Sequence, residues 1–548
     1  SPDKRAWSRF EWLIPLLAAA GALALRAALA GPDRVVWGDE PFYLWDARNL
    51  AAGRGYTFFN GQPDVYLTPL YPLLVAGLYL VLHDLEFASR LCYVVLGAAL
   101  AFPVYAIARQ MYGRGAATLA AVLLAAYPAL TASQLYWGTM TEPLYYLLAY
   151  AGLYAALRAW QDGSWLAHLA AGACFALAYL TRGEGIAFIV AVGGALALIR
   201  LCERRLFTRP VLLRLLGMAG AFLALAFPYW VYLRVHTGGW TISGQAGMTY
   251  ITCISLAYGD VAGFDRATWG LDPSGREVNF FSPDIVSFSM IDHVRSAPAD
   301  FARLVYQNAR DFVSTLFSIR MFPGFLLAPL ALGLFDFAWD RRRAKKELLL
   351  LASAAPALSF LFFFVQERYI GSLLPLLLIW AAHGLDRWGS WAADTLARLL
   401  GGRRLAGGWR YALTALPAAL LLAFFLAMLP RQAAGTSVGS FRAAHRVAGL
   451  WLAERVSPGE TVMARYPAIA FHAGAEWAPT PNASIPEVLT YARSHGVDYF
   501  VLDERETGTL RPQLTDLLEA RRVAGLERLA EIEDQGEKLV IFRVVGNE

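Results

Sequence analysis

Cysteine is scarce in this chain, and the four present, Cys92, Cys174, Cys202 and Cys253, lie too far apart to form a pairing or metal-ligand pattern. That removes disulfide scaffolds and thiolate metal centres from consideration. His83, His236, His293 and His472 are isolated, with no HExxH and no His/Cys pair at ligand spacing, so no metal site is expected from them. The glycine-rich run from Gly401 to Gly408 lacks the Lys-Ser/Thr of a phosphate loop and follows no strand. It reads as a basic cytoplasmic linker. Without a nucleotide motif, the energy for any reaction must arrive in the substrate. Charged residues are only 17% of the chain, and no internal repeat or low-complexity segment is visible.

Apolar residues fill the space that charge leaves. They make up 57% of 548 residues, with a mean hydropathy of +0.42, which excludes an ordinary soluble protein and fits a polytopic α-helical membrane protein. The 17 tryptophans suit a chain that crosses many membrane-water boundaries, where indole rings settle. Eleven apolar runs of roughly the length a helix needs to cross the hydrocarbon core lie near 12–30, 88–108, 115–133, 143–159, 165–181, 186–201, 212–234, 322–338, 347–365, 370–385 and 411–429. The tail differs, with regular charge and mixed periodicities. We therefore expect a membrane domain over 1–430 and an external, periplasmic α/β domain over 431–548. The pattern predicts helices near 441–456 and 486–495, and strands near 460–465, 499–502 and 539–542.

Basic residues orient the spans. Arg204, Arg205 and Arg209, then Arg341 to Arg343 with Lys345 and Lys346, then Arg387 through Arg410 fall on one side, which the positive-inside rule assigns to the cytoplasm. The flank Ser1 to Arg5 is expected there too, as a cytosolic N-terminus and not a cleaved signal. External loops then cover 31–87, 134–142, 182–185, 235–321 and 366–369. The apolar stretch Thr68 to Leu82 breaks this parity if it spans, so it reads as an interfacial or re-entrant helix. Asp300 to Phe317 has apolar residues at helical spacing and is expected to lie along the membrane surface.

On this topology, nearly every acidic cluster of the membrane region faces outward. Asp39-Glu40-Pro41 and Thr141-Glu142-Pro143 each fit the start of a helix, with Pro in the first turn. Capping is the plain explanation of each. The sharper one is a general base at Asp39, since two carboxylate motifs aimed at one membrane face are less easily explained by caps alone. Thr181-Arg182-Gly183-Glu184-Gly185 and Gln366-Glu367-Arg368-Tyr369 are turns too short to be solvated loops. Their arginines either snorkel or pair locally, or they clamp a phosphate with the planar fork of a guanidinium. Arg26, inside the first span, fits snorkelling better and is a weaker phosphate candidate. Asn482-Ala-Ser484 matches a glycosylation sequon, a short pattern prone to chance.

Taken in order, these residues resemble the GT-C membrane glycosyltransferases that use polyprenyl-phosphate sugars: bacterial family-39-like enzymes, lipid A aminoarabinose transferase and protein O-mannosyltransferases. The likeness rests on Asp39-Glu40 after the first span, Thr68-Pro-Leu-Tyr-Pro72, Thr141-Glu142-Pro143, Leu180-Thr-Arg-Gly-Glu184, Glu367-Arg-Tyr369 ahead of Pro375, and the α/β tail. It implies a multi-pass protein of the bacterial inner membrane that transfers a hexose or pentose, with inversion, from a polyprenyl-phosphate carrier to a lipid, glycan or protein hydroxyl. It further implies catalytic roles for Asp39, Glu40 and Glu142. Lipid-phosphate binding falls to Arg182, Arg368, Tyr369 and Arg26. Gly183 stands where many near relatives have Pro, and Glu at the second acidic position where some have Asp. No cofactor is certain, although the three acids could together hold a divalent cation. Two other readings compete: a ligase or oligosaccharyltransferase using a diphosphate-linked donor, and a lipid-linked sugar transporter. Against the transporter, the charges gather at one face and not at mid-bilayer.

Overall fold

The computed structural model describes residues 10–282, 290–336, 339–400, 407–436, 442–520 and 522–545. The flank Ser1 to Arg5 and most of the Gly401–Gly408 linker lie outside them. Every apolar run of the sequence carries a helix, from Leu13–Leu29 at the start to Gly407–Ala433 before the tail. Five are long and apolar enough to cross a membrane by length and composition: Leu85–Met111, Gly183–Cys202, Arg209–Thr237, Glu367–Leu399 and Ala412–Ala433. The others are shorter or less apolar than that measure. The run at 347–365 is broken into Arg341–Ala352 and the short turns Ala355–Leu358 and Ser359–Phe362.

The helix Leu70–Leu82 has 13 residues. At 1.5 Å per residue it reaches about 20 Å, well short of a hydrocarbon core of about 30 Å. It is held by its one buried phenol, as Tyr71 donates to the carbonyl of Thr139 at 2.6 Å. The amphipathic helix Pro298–Leu316 buries Leu304, Asn308, Phe312 and Leu316, one residue per turn, on a single stripe. Asn308 donates to the carbonyls of Leu361 and Phe363 at 3.0 and 2.7 Å and so fixes the broken turn that follows residue 358.

The basic segments assemble at one end of the bundle. Lys345 meets Glu203 at 2.7 Å, Arg343 meets Asp336 at 2.8 Å, and Gln110 donates to Gln161 at 2.7 Å. Gln161 lies at the far end of the 21-residue helix Glu142–Asp162. Glu142, at its start, is therefore about 28 Å away. The acidic turns and the basic loops thus occupy opposite ends of a helix roughly as long as a bilayer core is thick.

The tail forms a mixed six-stranded sheet in the order β2-β1-β3-β6-β5-β4, with β1 Thr461–Ala464, β2 Glu476–Pro479, β3 Val497–Asp503, β4 Arg522–Val523, β5 Leu526–Asp534 and β6 Glu537–Val544. β2, β1 and β3 run parallel, and the rest are antiparallel. The helices Ala443–Ala453 and Ile485–Ser494 match the sequence expectation, as do β1, β3 and β6. β2, β4 and β5 were not anticipated. β5 alternates in burial as a half-solvated strand does, yet its Leu, Glu, Arg and Ala are good helix formers. Its partner is set by the tight turn at Gln535 and Gly536, both at positive φ.

Two contacts seat the tail on the loops before it. Phe42 and Trp45 of the helix Glu40–Ala51 pack on Trp477 and Phe471, with ring centroids 5.4 and 5.8 Å apart. Buried Asp265, from the 235–321 loop, accepts from Arg465 at 2.7 Å, Arg511 at 3.0 Å and Asn482 at 2.8 Å. The sequon asparagine is therefore a structural ligand of Asp265.

Candidate active site

Both acidic motifs start helices, Glu40–Ala51 and Glu142–Asp162, with Pro in the first turn. Neither Asp39 nor Thr141 makes a side-chain capping bond. The carboxylates are spent elsewhere. Asp39 accepts from Nη2 of Arg368 at 2.9 Å, and Glu142 accepts from Nη1 of Arg182 at 2.9 Å. Arg182 also donates through Nε to Glu184 at 2.5 Å and through Nη1 to Thr141 at 3.2 Å. The two turns read from sequence as arginine-bearing thus close on the two acidic helix starts.

Asp39, Tyr43, Thr68, Arg182, Glu184, Arg368 and Tyr369 supply polar lining to one cavity of about 300 Å³. Ile186, Ile242, Phe360, Phe363 and Phe364 supply apolar lining to the same cavity, with Phe360 stacked on the Tyr369 ring at 4.5 Å. Glu142 stands behind this surface, 5% exposed, and reaches the cavity through Arg182. Arg368 is gripped from several sides. Its guanidinium lies 4.6 Å from the ring of Trp137 and 4.8 Å from that of Tyr369, donates to the Tyr369 hydroxyl at 2.8 Å, and has its own carbonyl tied by Tyr146 at 2.9 Å. Thr68 donates to the carbonyl of Thr181 at 2.7 Å, which docks the Thr-Pro-Leu-Tyr-Pro stretch beside Arg182.

Burial acts to discharge Arg182, but the carboxylates of Glu184 and Glu142 outweigh it and raise its pKa above the ordinary guanidinium value. Burial also pushes the Tyr43 phenol up, so Tyr43 enters as a hydrogen-bond donor and not as a base.

Two expected site residues lie elsewhere. Glu40 turns away from Asp39 into the protein, where Arg34 grips it in a two-pronged ion pair at 2.5 and 2.6 Å with neither side chain exposed. Thr139 and Ser89 complete its shell. Gly138, at φ 99°, admits this carboxylate because a Cβ there would sit 2.1 Å from Glu40 Oε2. Arg26 neither snorkels nor faces the cavity. It is 3% exposed, packs on Gly97 and on the ring of Tyr93 at 4.9 Å, and donates to the carbonyl of Leu130. With Glu40 withdrawn, the three-acid cation site considered from sequence is not assembled. Among the described residues no three His, Cys, Asp or Glu side chains stand together as metal ligands would.

Two residues at the site were passed over in sequence reading. Tyr43, one helical turn beyond Asp39, lines the cavity, and Trp137, outside its lining, holds Arg368 by stacking on its guanidinium. Nothing in the sequence pointed to Trp137; its ring is packed against Gly38, at φ 65°, where a Cβ would come within 2.6 Å of it. Arg34, which neutralises Glu40, left no trace beyond its nearness in sequence.

A helical bundle, a broken-helix cavity at one end and an α/β tail over that end together make the GT-C fold, the architecture of membrane glycosyltransferases. The profile of the dolichyl-phosphate-mannose-protein mannosyltransferase family matches residues 64–232. Among solved structures, the chain is similar to the archaeal oligosaccharyltransferase AglB from Archaeoglobus fulgidus, in complex with an inhibitory peptide and a dolichol-phosphate, at TM-score 0.60 and 16% identity over 99% of this chain and 75% of that one. It is also similar to ArnT from Cupriavidus metallidurans bound to undecaprenyl phosphate, at TM-score 0.53 and 16% identity over 97% of this chain and 98% of that one. The same ArnT in its apo state gives 0.55. A search of curated proteins by sequence finds no match.

Proposed function

We propose that this chain is an inverting glycosyltransferase that moves a sugar from a polyprenyl-phosphate carrier to an acceptor hydroxyl at the external face of the bacterial inner membrane. The observation that carries the reading is the convergence of Asp39, Arg182 and Arg368 on one cavity that also has Ile186, Ile242, Phe360, Phe363 and Phe364 in its lining. Such a cavity suits a donor that is a sugar phosphate at one end and an isoprenoid at the other. The two structural relatives solved with polyprenyl phosphates, AglB and ArnT, support the same substrate class.

Asp39, Glu142 and Glu184 against Arg182 and Arg368 leave the group one negative charge in excess. A phosphate therefore enters by taking an arginine from its carboxylate. Arg368 is the one to give way: its partner Asp39 is 41% exposed and holds it through one hydrogen bond, whereas Arg182 is shared by two carboxylates that are 5% and 14% exposed. Exchange of Asp39 for phosphate on Arg368 arms both groups at once. Asp39 is released beside the bound sugar and takes the proton of the acceptor hydroxyl. The acceptor oxygen attacks the anomeric carbon from the side opposite the phosphate, and the carbon-oxygen bond to phosphate breaks with its electron pair passing to the phosphate oxygen. Arg368 and Arg182 stabilise the charge that gathers there. One carbon-oxygen bond forms as one breaks, and the single proton rests on Asp39. The basic segments at the far end of the bundle support an external cavity and a cytoplasmic N-terminus.

The glycolipids and glycans of cells with and without the gene test this reading. One sugar-bearing product should vanish in its absence and return with the wild-type gene but not with Asp39→Asn. An unchanged profile contradicts it, and selective binding of polyprenyl diphosphate over monophosphate by the purified protein would point to a ligase.

A further inference from the structure

At the end of the bundle opposite Asp39, a cavity of about 430 Å³ is lined by Trp160, Gln161, Arg200, Glu203, Arg205 and Arg342. Three guanidiniums stand against one carboxylate, and that carboxylate is already committed: Glu203 accepts from Arg200 at 2.8 Å and from Lys345 at 2.7 Å. Arg200 is held in turn by the Trp160 carbonyl at 2.7 Å. Arg204 takes φ 57°, and this left-handed step brings the amides of Arg205 and Leu206 back onto the Arg200 carbonyl at 2.8 and 3.1 Å. The backbone of Arg205 is therefore fixed over the helix end. Its guanidinium, exposed and on the cavity wall, meets no carboxylate, hydroxyl or carbonyl among the described residues. A cavity with such an excess of forked donors calls for an anion rich in acceptor oxygens.

Its place in the fold says what form that anion takes. Gly183–Cys202 and Arg209–Thr237 are both long and apolar enough to cross a membrane, and the cavity is built on the short turn between them. It therefore lies at the level of lipid headgroups. Within that turn Phe207 is 82% exposed, as an aromatic at a membrane boundary is. The two helices expose Leu198 and Leu201 on one and Leu212 and Leu216 on the other, close to their ends at this turn. A lipid whose phosphate enters the cavity thus finds apolar surface for its acyl chains beside it. A soluble phosphate or an acidic peptide would use the charges alone.

We infer that this cavity is a binding site for the phosphodiester headgroup of an anionic two-chain phospholipid. Basic cavities between the ends of membrane helices take such headgroups. Arg205 and Arg342 are the recognising groups, and Arg200, tied to Glu203 and Trp160, forms the floor on which they stand. The site is separate from the cavity of Asp39 and does not depend on the reaction assigned there.

Native mass spectrometry of the full-length protein in detergent tests this, with dioleoyl phosphatidylglycerol and zwitterionic dioleoyl phosphatidylcholine as lipid probes and glycerol phosphate as the soluble anion. Phosphatidylglycerol should be held about tenfold more tightly than phosphatidylcholine. Replacing Arg205 and Arg342 together by Gln should abolish that preference, and both side chains are exposed, so the fold is spared. The matched pair Arg204→Gln with Arg341→Gln removes the same charge from neighbouring positions outside the cavity and should keep the preference. The site is overturned if wild type holds the two lipids alike, if the two double variants lose the preference equally, or if glycerol phosphate binds as tightly as the lipid.

Discussion

Arg368 and Asp39 meet at 2.9 Å although 329 residues separate them. The pair joins the first loop of the chain to the turn that opens the long helix Leu374–Leu399, and it is asymmetric, with a guanidinium 10% exposed and a carboxylate 41% exposed. A buried cation with one exposed and replaceable anion is poised for exchange with a substrate anion.

Replacing Arg368 by Lys keeps the charge but loses the planar fork and its stacking on Trp137 and Tyr369. Affinity for undecaprenyl phosphate should fall about tenfold, roughly the 1.4 kcal/mol of one charge-assisted contact. Equal affinity in the two proteins, measured by calorimetry, would show that only the charge matters.

Glu40→Gln should unfold the first loop before it affects chemistry, because it leaves the Arg34 guanidinium buried without its counter-charge. Such a loss costs about 3–5 kcal/mol, and an apolar pair of similar volume can recover much of it. Thermal unfolding in detergent is expected to show a large drop for Glu40→Gln and partial recovery for Arg34→Met with Glu40→Leu. A Glu40→Gln protein as stable as wild type yet inactive would return Glu40 to the catalytic set.

Asp46 and Asp64 face each other beneath the same loop, and two carboxyls can share a hydrogen bond only when one is protonated. Burial pushes Asp64 up to about 6, against the bonds it accepts from the Leu67 and Tyr66 amides, and burial with the nearby Asp64 charge pushes Asp46 well above its ordinary value. Both groups hold their protons more tightly folded than unfolded. Their contribution is therefore fully present below about pH 4 and is lost as pH rises through 6 and beyond. For Asp64 alone the displacement corresponds to about 3 kcal/mol. Asp46→Asn should raise the Tm at pH 8 and raise it much less at pH 5. An equal change at both pH values would mean that the pair does not titrate in this range.

Glu142 orients Arg182 and is shielded from the cavity, so Glu142→Gln should slow transfer less than Asp39→Asn, whose loss as general base is expected to cost about 10²- to 10⁴-fold. The ratio of the two kcat values, once the sugar donor is known, decides between them. A larger loss for Glu142→Gln would make Glu142 the base.

The helices were legible because apolar runs of membrane length need little tertiary information to read. The meeting of Asp39, Glu142, Arg182 and Arg368 followed from sidedness: once the basic loops were placed at one end, the short acidic and arginine-bearing turns had only the other end to share. What sequence could not show was direction. Asp39 and Glu40 are adjacent, yet one faces the cavity and the other the core, a choice made by Arg34 and by the space at Gly138. Arg26 was misplaced for a similar reason, since a close approach to Gly97 buries it where composition favoured snorkelling. In the tail, β5 carries helix-forming residues and becomes a strand only by pairing with β6.

The central claim is that Arg368 binds the carrier phosphate while Asp39 does the chemistry, and undecaprenyl-phosphate titration of three purified proteins tests it most directly. The account predicts tight binding by wild type, binding at least as tight by Asp39→Asn, which no longer competes for the guanidinium, and a loss of ten-fold or more for Arg368→Ala. Unchanged affinity in Arg368→Ala, or binding abolished by Asp39→Asn, would contradict it.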